Sequence, residues 1–190
     1  MHGFPQVIVF LGISLDGFIA GPAGDLSWLS ECANESPAET GYDELMGRTD
    51  ALVLGRNTYD AVLGFSDWPF GGKRVYVLTH RPMAPAHGEI ALQGDIEQAL
   101  CRVQASGART VYLDGGNVVR QALEKNLVDE LVLSWVPVVL GGGIRLFEEG
   151  LTPSRWQLAK TRSFQSGMVQ ASYLNGCSAE RLECGTGEPA

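Results

Sequence analysis

The stretch Ala51-Leu52-Val53-Leu54-Gly55-Arg56-Asn57-Thr58-Tyr59 constrains the fold of this chain more than any other. A short apolar run, the length of a buried strand, stops at a glycine and passes directly into helix-compatible sequence. Such a junction gathers the free N–H groups of a helix start, the Thr58 hydroxyl and the Arg56 guanidinium around one point, an arrangement suited to an anion. The alternative is a plain strand-to-helix turn capped by Asn57 or Thr58, and the residues alone leave the two readings even. A second junction of the same design follows at Thr110-Val111-Tyr112-Leu113-Asp114-Gly115-Gly116-Asn117. Its paired glycines suit either close approach of a ligand or a backbone geometry closed to other residues. Asp114 reads equally as a ligand-facing carboxylate or as a helix N-cap.

Around these junctions the pattern alternates between strand and helix. Residues 6–13 form a continuous β-rich run, and residues 14–34 a long irregular loop with Gly17, Gly21, Pro22 and Gly24, of the kind used as a lid or binding loop. Ser36-Pro37-Ala38-Glu39 carries an N-cap serine, an N1 proline and an acid at N3, so a helix is predicted from there to Met46, ending at Gly47. Strand 51–54, helix 56–63, loop 65–72 and strand 74–79 follow, with a weaker strand over 89–92. The helix predicted over 95–106 places Ile96, Ala99, Leu100 and Val103 on one face. Next come strand 110–113, helix 117–125, strand 130–136, a flexible turn at Leu140-Gly141-Gly142-Gly143 and a closing hairpin of 156–164 with 168–174. This order predicts one α/β domain over residues 1–176, with parallel strands joined by right-handed crossovers, and a frayed tail over 177–190.

Ligands of such sheets sit at the carboxyl ends of the strands. Thr79-His80-Arg81 stands at one of those ends and offers a grip for a terminal phosphate such as the one that distinguishes NADP from NAD, although a solvated turn before Pro82 is the plainer reading. Ser14-Leu15-Asp16-Gly17-Phe18-Ile19-Ala20, followed by Trp28, reads either as a lid over a flat ring or as a loop whose Phe18 and Trp28 plug the core. No GxGxxG follows the first strand, so an ordinary Rossmann domain is disfavoured, and the GGG turn lacks the lysine of a P-loop.

Composition narrows the partners. A net charge of −8 argues against nucleic acid or anionic membrane, while leaving room for a small phosphorylated ligand at a local basic cluster. The N-terminal residues lack a basic signal region, and no apolar run approaches the roughly 20 residues that span a bilayer. The four cysteines have no zinc spacing, and only three histidines are present. A reduced, metal-free cytoplasmic protein is expected, with pairing of Cys177 and Cys184 disfavoured on spacing alone.

The motifs SLDGFIA, GDLSWL, LGRNTYD, WPFGGKRVYVLTHR, VYLDGGNVVRQAL and DELVLSWVPVVLGGG, in that order and ahead of a closing hairpin, resemble the dihydrofolate reductase-like superfamily. Within it the chain is most similar to the C-terminal reductase domain of bifunctional riboflavin-biosynthesis deaminase–reductases and to its stand-alone relatives, over about residues 6–175. The resemblance implies a three-layer α/β fold, with a mostly parallel central sheet, an antiparallel C-terminal strand and NADPH lying across the strand ends. It implies that Gly55, Arg56, Asn57 and Thr58 hold the pyrophosphate side, and Thr79, His80 and Arg81 the 2′-phosphate side. Asp114, Gly115, Gly116, Asn117 and Val118 would pass beneath the cofactor, with a cis Gly115–Gly116 bond, and Gly12, Ile19 and Ala20 would meet the nicotinamide.

The implied reaction is hydride transfer to a small heterocyclic (pterin- or aminopyrimidine-like) or carbonyl substrate, as in the reduction of 5-amino-6-(5-phosphoribosylamino)uracil. Asp16 and Asp114 would orient the substrate or relay the proton, Trp28 would close over the ring, Ser134 would lie on the substrate side, and the protein would be a homodimer. The alternatives are a dihydrofolate reductase or a non-catalytic NADPH-binding module. Glu35, Glu39 and Asp43 lie near the first helix, but none matches the pterin-binding acid of dihydrofolate reductases, which disfavours folate reduction.

Overall fold

The computed structural model describes residues 4–32 and 34–176. Cys177, Cys184 and the tail expected from residue 177 lie outside the described residues. The chain opens with β1 (Gln6–Ser14), β2 (Phe18–Ala20), a 3-10 turn (Pro22–Gly24) and three short helices, α1 (Ser27–Cys32), α2 (Pro37–Thr40) and α3 (Tyr42–Arg48). β3 (Ala51–Gly55), α4 (Arg56–Val62), β4 (Arg74–Leu78), β5 (Ile90–Leu92) and α5 (Ile96–Ala105) follow. The second half comprises β6 (Thr110–Asp114), α6 (Gly116–Glu124), β7 (Glu130–Val136), β8 (Ile144–Arg145), β9 (Trp156–Ser163) and β10 (Val169–Asn175).

Eight strands form one sheet in the order β5-β4-β3-β6-β1-β7-β10-β9, and β2 pairs with β8 apart from it. The first six strands of that order run parallel, while β10 is antiparallel to both β7 and β9. Apart from the edge strand β5, whose Ile90 and Ala91 are exposed, the parallel strands are largely buried on both faces and read as near-continuous apolar runs. Alternation along them builds two cores. Val7, Val9, Val53, Val111 and Leu113 meet α5 and α6 on one face, and Ile8, Leu52, Leu54, Val77 and Tyr112 meet α3 and α4 on the other. The result is the expected three-layer α/β arrangement with a mostly parallel sheet.

Three local expectations are corrected. The helix predicted from Ser36 is two helices, because Gly41 adopts φ 81° and caps α2 before α3 begins. Its start is as read, with Ser36 and Glu39 forming a reciprocal capping box. The loop over 14–34 contains β2, the 3-10 turn and α1, and the glycine turn over 140–143 leads directly into β8. No described helix is long and apolar enough to cross a membrane.

Candidate active site

β3 and β6 are neighbours in the sheet, with Leu54 opposite Asp114, so the two glycine junctions lie side by side. A Cβ on Gly115 would stand 2.6 Å from the Thr58 Oγ1 and 3.1 Å from the Gly55 nitrogen, and one on Gly55 would stand 2.9 Å from Val118. On the far side, a Cβ on Gly116 would come within 2.7 Å of Ile19. The backbones of the two helix starts therefore approach as closely as side-chain-free residues allow. Gly115 turns the chain at φ 111°, and the cis bond expected between Gly115 and Gly116 is absent, since every described peptide bond is trans. Neither α4 nor α6 has a side-chain cap at its N-terminus, whereas α2 and α5 are capped by Ser36 and Asp95. Of the two readings the sequence left open, the capped turn is thus not the one formed: neither Asn57 nor Thr58 caps α4, and Asp114 does not cap α6.

Basic residues gather beside α4. Arg56 bonds Asp60 through Nε at 2.7 Å and the Pro82 carbonyl through Nη1 at 2.8 Å. Arg81 donates to the Asn57 Oδ1 at 2.9 Å and to Asp60 at 3.3 Å, and its own N–H donates to the Thr79 hydroxyl at 3.0 Å. Thr79 is buried, whereas His80, Arg81 and Asn57 are exposed, so the cationic end of the cluster faces solvent.

Asp16, expected to orient the substrate or relay the proton, has its carboxylate bonded within the fold. Its carboxylate accepts from the Ser14 hydroxyl at 2.7 Å and from the N–H groups of Leu140 at 3.1 Å and Gly141 at 2.7 Å. The Ser14 hydroxyl is the main influence that, with the two N–H groups and against some opposition from burial, holds the carboxyl at about 2. It is therefore ionised near neutral pH and ties the loop after β1 to the loop before β8. Arg145 reinforces the tie, donating to the Asp16 carbonyl at 3.1 Å and lying 4.3 Å over the Phe18 ring. Phe18, Ile19 and Ala20 are buried.

Asp114 stands in the opposite electrostatic setting. Burial pushes its carboxyl up to about 6, against the opposing pull of the Gly115 N–H and the Tyr112 hydroxyl. That hydroxyl lies 3.3 Å from Asp114 and 3.1 Å from the Phe10 carbonyl. Tyr42 packs edge-on against Phe10 and Tyr112, and burial, then the Asp114 charge, raise its hydroxyl to about 12. A carboxyl poised near neutrality at a central strand end can hold and release a proton.

A cavity of about 270 Å³ opens on the same face of the sheet, lined by Phe10, Gly12, Leu29, Glu35, Ser134 and Met168 among others. Gly12 and Ser134 thus share one wall, placed there by their pairing in adjacent strands. The Ser134 hydroxyl accepts from Gln170 at 3.0 Å, which leaves its proton free to be donated. Trp28 is not in that wall. Expected to close over the ring, it is instead 4% exposed and packs on Val136 and Met168, the core position that was the other reading of its loop. Glu35 is the lining residue that pattern reasoning did not single out. It precedes the Ser36 cap in a stretch without periodicity, and its proximity to the first helix was the only sequence signal.

The model of the RibD C-terminal domain family matches residues 5–170. A putative riboflavin biosynthesis protein from Shewanella sp. PV-4, known from its crystal structure, is 35% identical, with 90% of this chain and 98% of that one covered and a TM-score of 0.81. The Bacillus subtilis (strain 168) protein YwjB is 28% identical over 172 residues, covering 89% of this chain and 97% of its own. Dihydrofolate reductase from Enterococcus faecalis, in a complex with NADP(H), shares the fold at a TM-score of 0.64 and 19% identity, over 90% of this chain and 96% of that one.

Proposed function

We propose that this chain, which belongs to the RibD C-terminal domain family, is an NADPH-dependent reductase of a small heterocyclic or carbonyl substrate. The observation that carries this reading is the meeting of two uncapped helix starts at Gly55 and Gly115, with bare backbone between them. Such a cradle fits a dinucleotide pyrophosphate. The NADP(H) complex of the similarly folded Enterococcus faecalis enzyme supports the choice of cofactor.

NADPH, when bound, supplies the hydride for a C=N or C=O carbon. The chain's own residues supply position and protons. Gly55, Arg56, Asn57 and Thr58, with Gly115, Gly116, Asn117 and Val118, hold the phosphate-bearing centre, and Thr79, His80 and Arg81 receive the 2′-phosphate. Ile19, Ala20 and Gly12 border the reacting end, where the Asp16 tie keeps the β1 loop closed. Asp114 delivers the proton and Ser134 orients the substrate.

Saturating NADPH should raise the melting temperature, with stabilisation of roughly 2.7 kcal/mol at 100 times the dissociation constant. NADPH consumption should follow on presenting a panel of pterins, aminouracils and quinones. Absence of any stabilisation would remove the cofactor assignment, and stabilisation without consumption would leave a binding module. The same reading takes the protein as a homodimer. β9, exposed along nearly its whole length at the sheet edge, is the surface available for a partner, and a monomeric mass in solution by light scattering would exclude it.

A further inference from the structure

Among the described residues, the one side chain hydrogen-bonded to Asp114 is Tyr112, two positions earlier on the same face of β6. Its hydroxyl has a single proton and two acceptors within reach, the Phe10 carbonyl at 3.1 Å and the Asp114 carboxyl at 3.3 Å. Phe10 lies one residue past the last β1–β6 pair, Val9 with Leu113, so its carbonyl stands where that ladder has ended. The ring that carries the hydroxyl is fixed. It is 4% exposed, packs in the core of Ile8, Leu52, Leu54 and Val77, and meets Tyr42 of α3 edge-on with 6.2 Å between centroids. Rotation about the C–O bond remains, and that rotation decides which acceptor receives the proton.

The surroundings of Asp114 tie that choice to its own protonation. β6 contributes Tyr112 and α3 contributes Tyr42 with Asp43, while the neighbouring strands contribute Phe10 and Leu54, which do not titrate. No Lys, Arg or His of the described residues is among the influences on the carboxyl. Once ionised, Asp114 therefore depends on the Gly115 N–H and the Tyr112 proton, because a buried charge without donors is costly. As a neutral acid it carries a donor of its own, and the Tyr112 proton is released to the Phe10 carbonyl.

We propose that Tyr112 is the positioning residue for proton delivery by Asp114: its hydroxyl serves the Phe10 carbonyl while Asp114 holds the proton, and turns to the carboxylate once the proton has left. This rests on the reading of Asp114 as the proton donor of a reductase, although the pairing is testable without substrate. In the delivery step the Asp114 O–H bond breaks and leaves its electron pair on the carboxylate. The proton bonds to the substrate nitrogen or oxygen that hydride addition has left electron-rich. Tyr112 keeps its own proton throughout, since burial, then the Asp114 charge, holds its hydroxyl well above the usual range. Water returns a proton to Asp114 before the next turnover.

The test follows isotope-labelled aspartate carboxyl groups by NMR through a pH titration of the protein without ligand, with Asp114→Asn identifying the Asp114 signal. Tyr112→Phe keeps the ring in the core and removes only the hydroxyl. It should move the Asp114 titration up by about one pH unit, the loss of one hydrogen bond to a charged group. Tyr42→Phe removes a neighbouring hydroxyl that is not bonded to Asp114 and should change the titration little. An unchanged or lowered titration in Tyr112→Phe, or an equal rise in Tyr42→Phe, would overturn the proposal. Where Tyr112→Phe does not fold, uniform replacement of tyrosine by 3-fluorotyrosine, a stronger donor, should lower the titration, and no change would overturn the pairing. Turnover gives the second readout. The pH at which the rate falls should rise in Tyr112→Phe together with the Asp114 titration, at unchanged KM because Tyr112 does not line the cavity. A rate profile that stays in place while the titration moves would overturn the delivery role. Absence of NADPH consumption by wild type would refute the reductase reading, while the titration still decides the pairing.

Discussion

Replacing Gly115 with alanine tests the geometry on which the cofactor cradle depends. At φ 111° and ψ 125° the residue lies in a region that L side chains rarely occupy, a strain of about 1–3 kcal/mol. The new Cβ would also stand 2.6 Å from the Thr58 Oγ1 and 3.1 Å from the Gly55 nitrogen. The hydroxyl can turn away, but the backbone nitrogen is held in β3 between two strands, and overpacking of this kind adds about 1–3 kcal/mol. Gly115→Ala should therefore lose about 2–6 kcal/mol, read as a lower urea midpoint at unchanged slope. Thr58→Ala in the same background should restore only the side-chain share of that loss, and a double-mutant cycle measures it. Gly47→Ala is the matched control. Gly47 lies within α3 and a Cβ there meets nothing within 4 Å, so alanine should stabilise by about 0.5–1 kcal/mol. A Gly115→Ala protein within about 0.5 kcal/mol of wild type, an ordinary surface effect, would refute the close approach of the two junctions.

If the guanidinium meets the 2′-phosphate as proposed, Arg81→Ala should weaken NADPH by about 10- to 100-fold while changing NADH little, and equal losses by fluorescence titration would sink that placement. Asp16→Asn removes a carboxyl held at about 2 against an ordinary 3.8, so wild-type stability from this group is present above pH ~4 and lost as pH falls toward 2. Acid titration of both proteins should show that the variant lacks this part of the loss. Asp114 carries the opposite sign: with its carboxyl raised to about 6, its contribution is full below pH ~4 and disappears as pH rises through 6. Asp114→Asn should accordingly flatten the stability profile between those values. If Asp114 delivers the proton, the wild-type rate should fall as pH rises through about 6, and that limb should be missing from the slow residual activity of the variant.

The parts of the fold legible in the sequence are those whose cause is local. β7 and the inward face of α5 follow from apolar period and caps within a dozen residues, and the capping box at Ser36 is complete in four. The break at Gly41 was also within reach, because a glycine four residues after a proline at N1 marks a helix end as well as an interior position. β2 and β8 were not within reach. Three residues pair with two across more than 120 positions because Asp16 reaches the Leu140 and Gly141 N–H groups, and nothing in either segment announces the other. The same holds for the site. Taken alone, each glycine junction was balanced between a cradle and a capped turn, since both demand the same residues. Strand order is what brings the junctions together: β6 sits between β3 and β1, so Gly115 lands against Gly55 while Asp114 comes to the same face as Tyr42. The candidate cofactor cradle and the carboxyl poised beside it thus share one cause, the crossover that inserts β6 at the centre of the sheet.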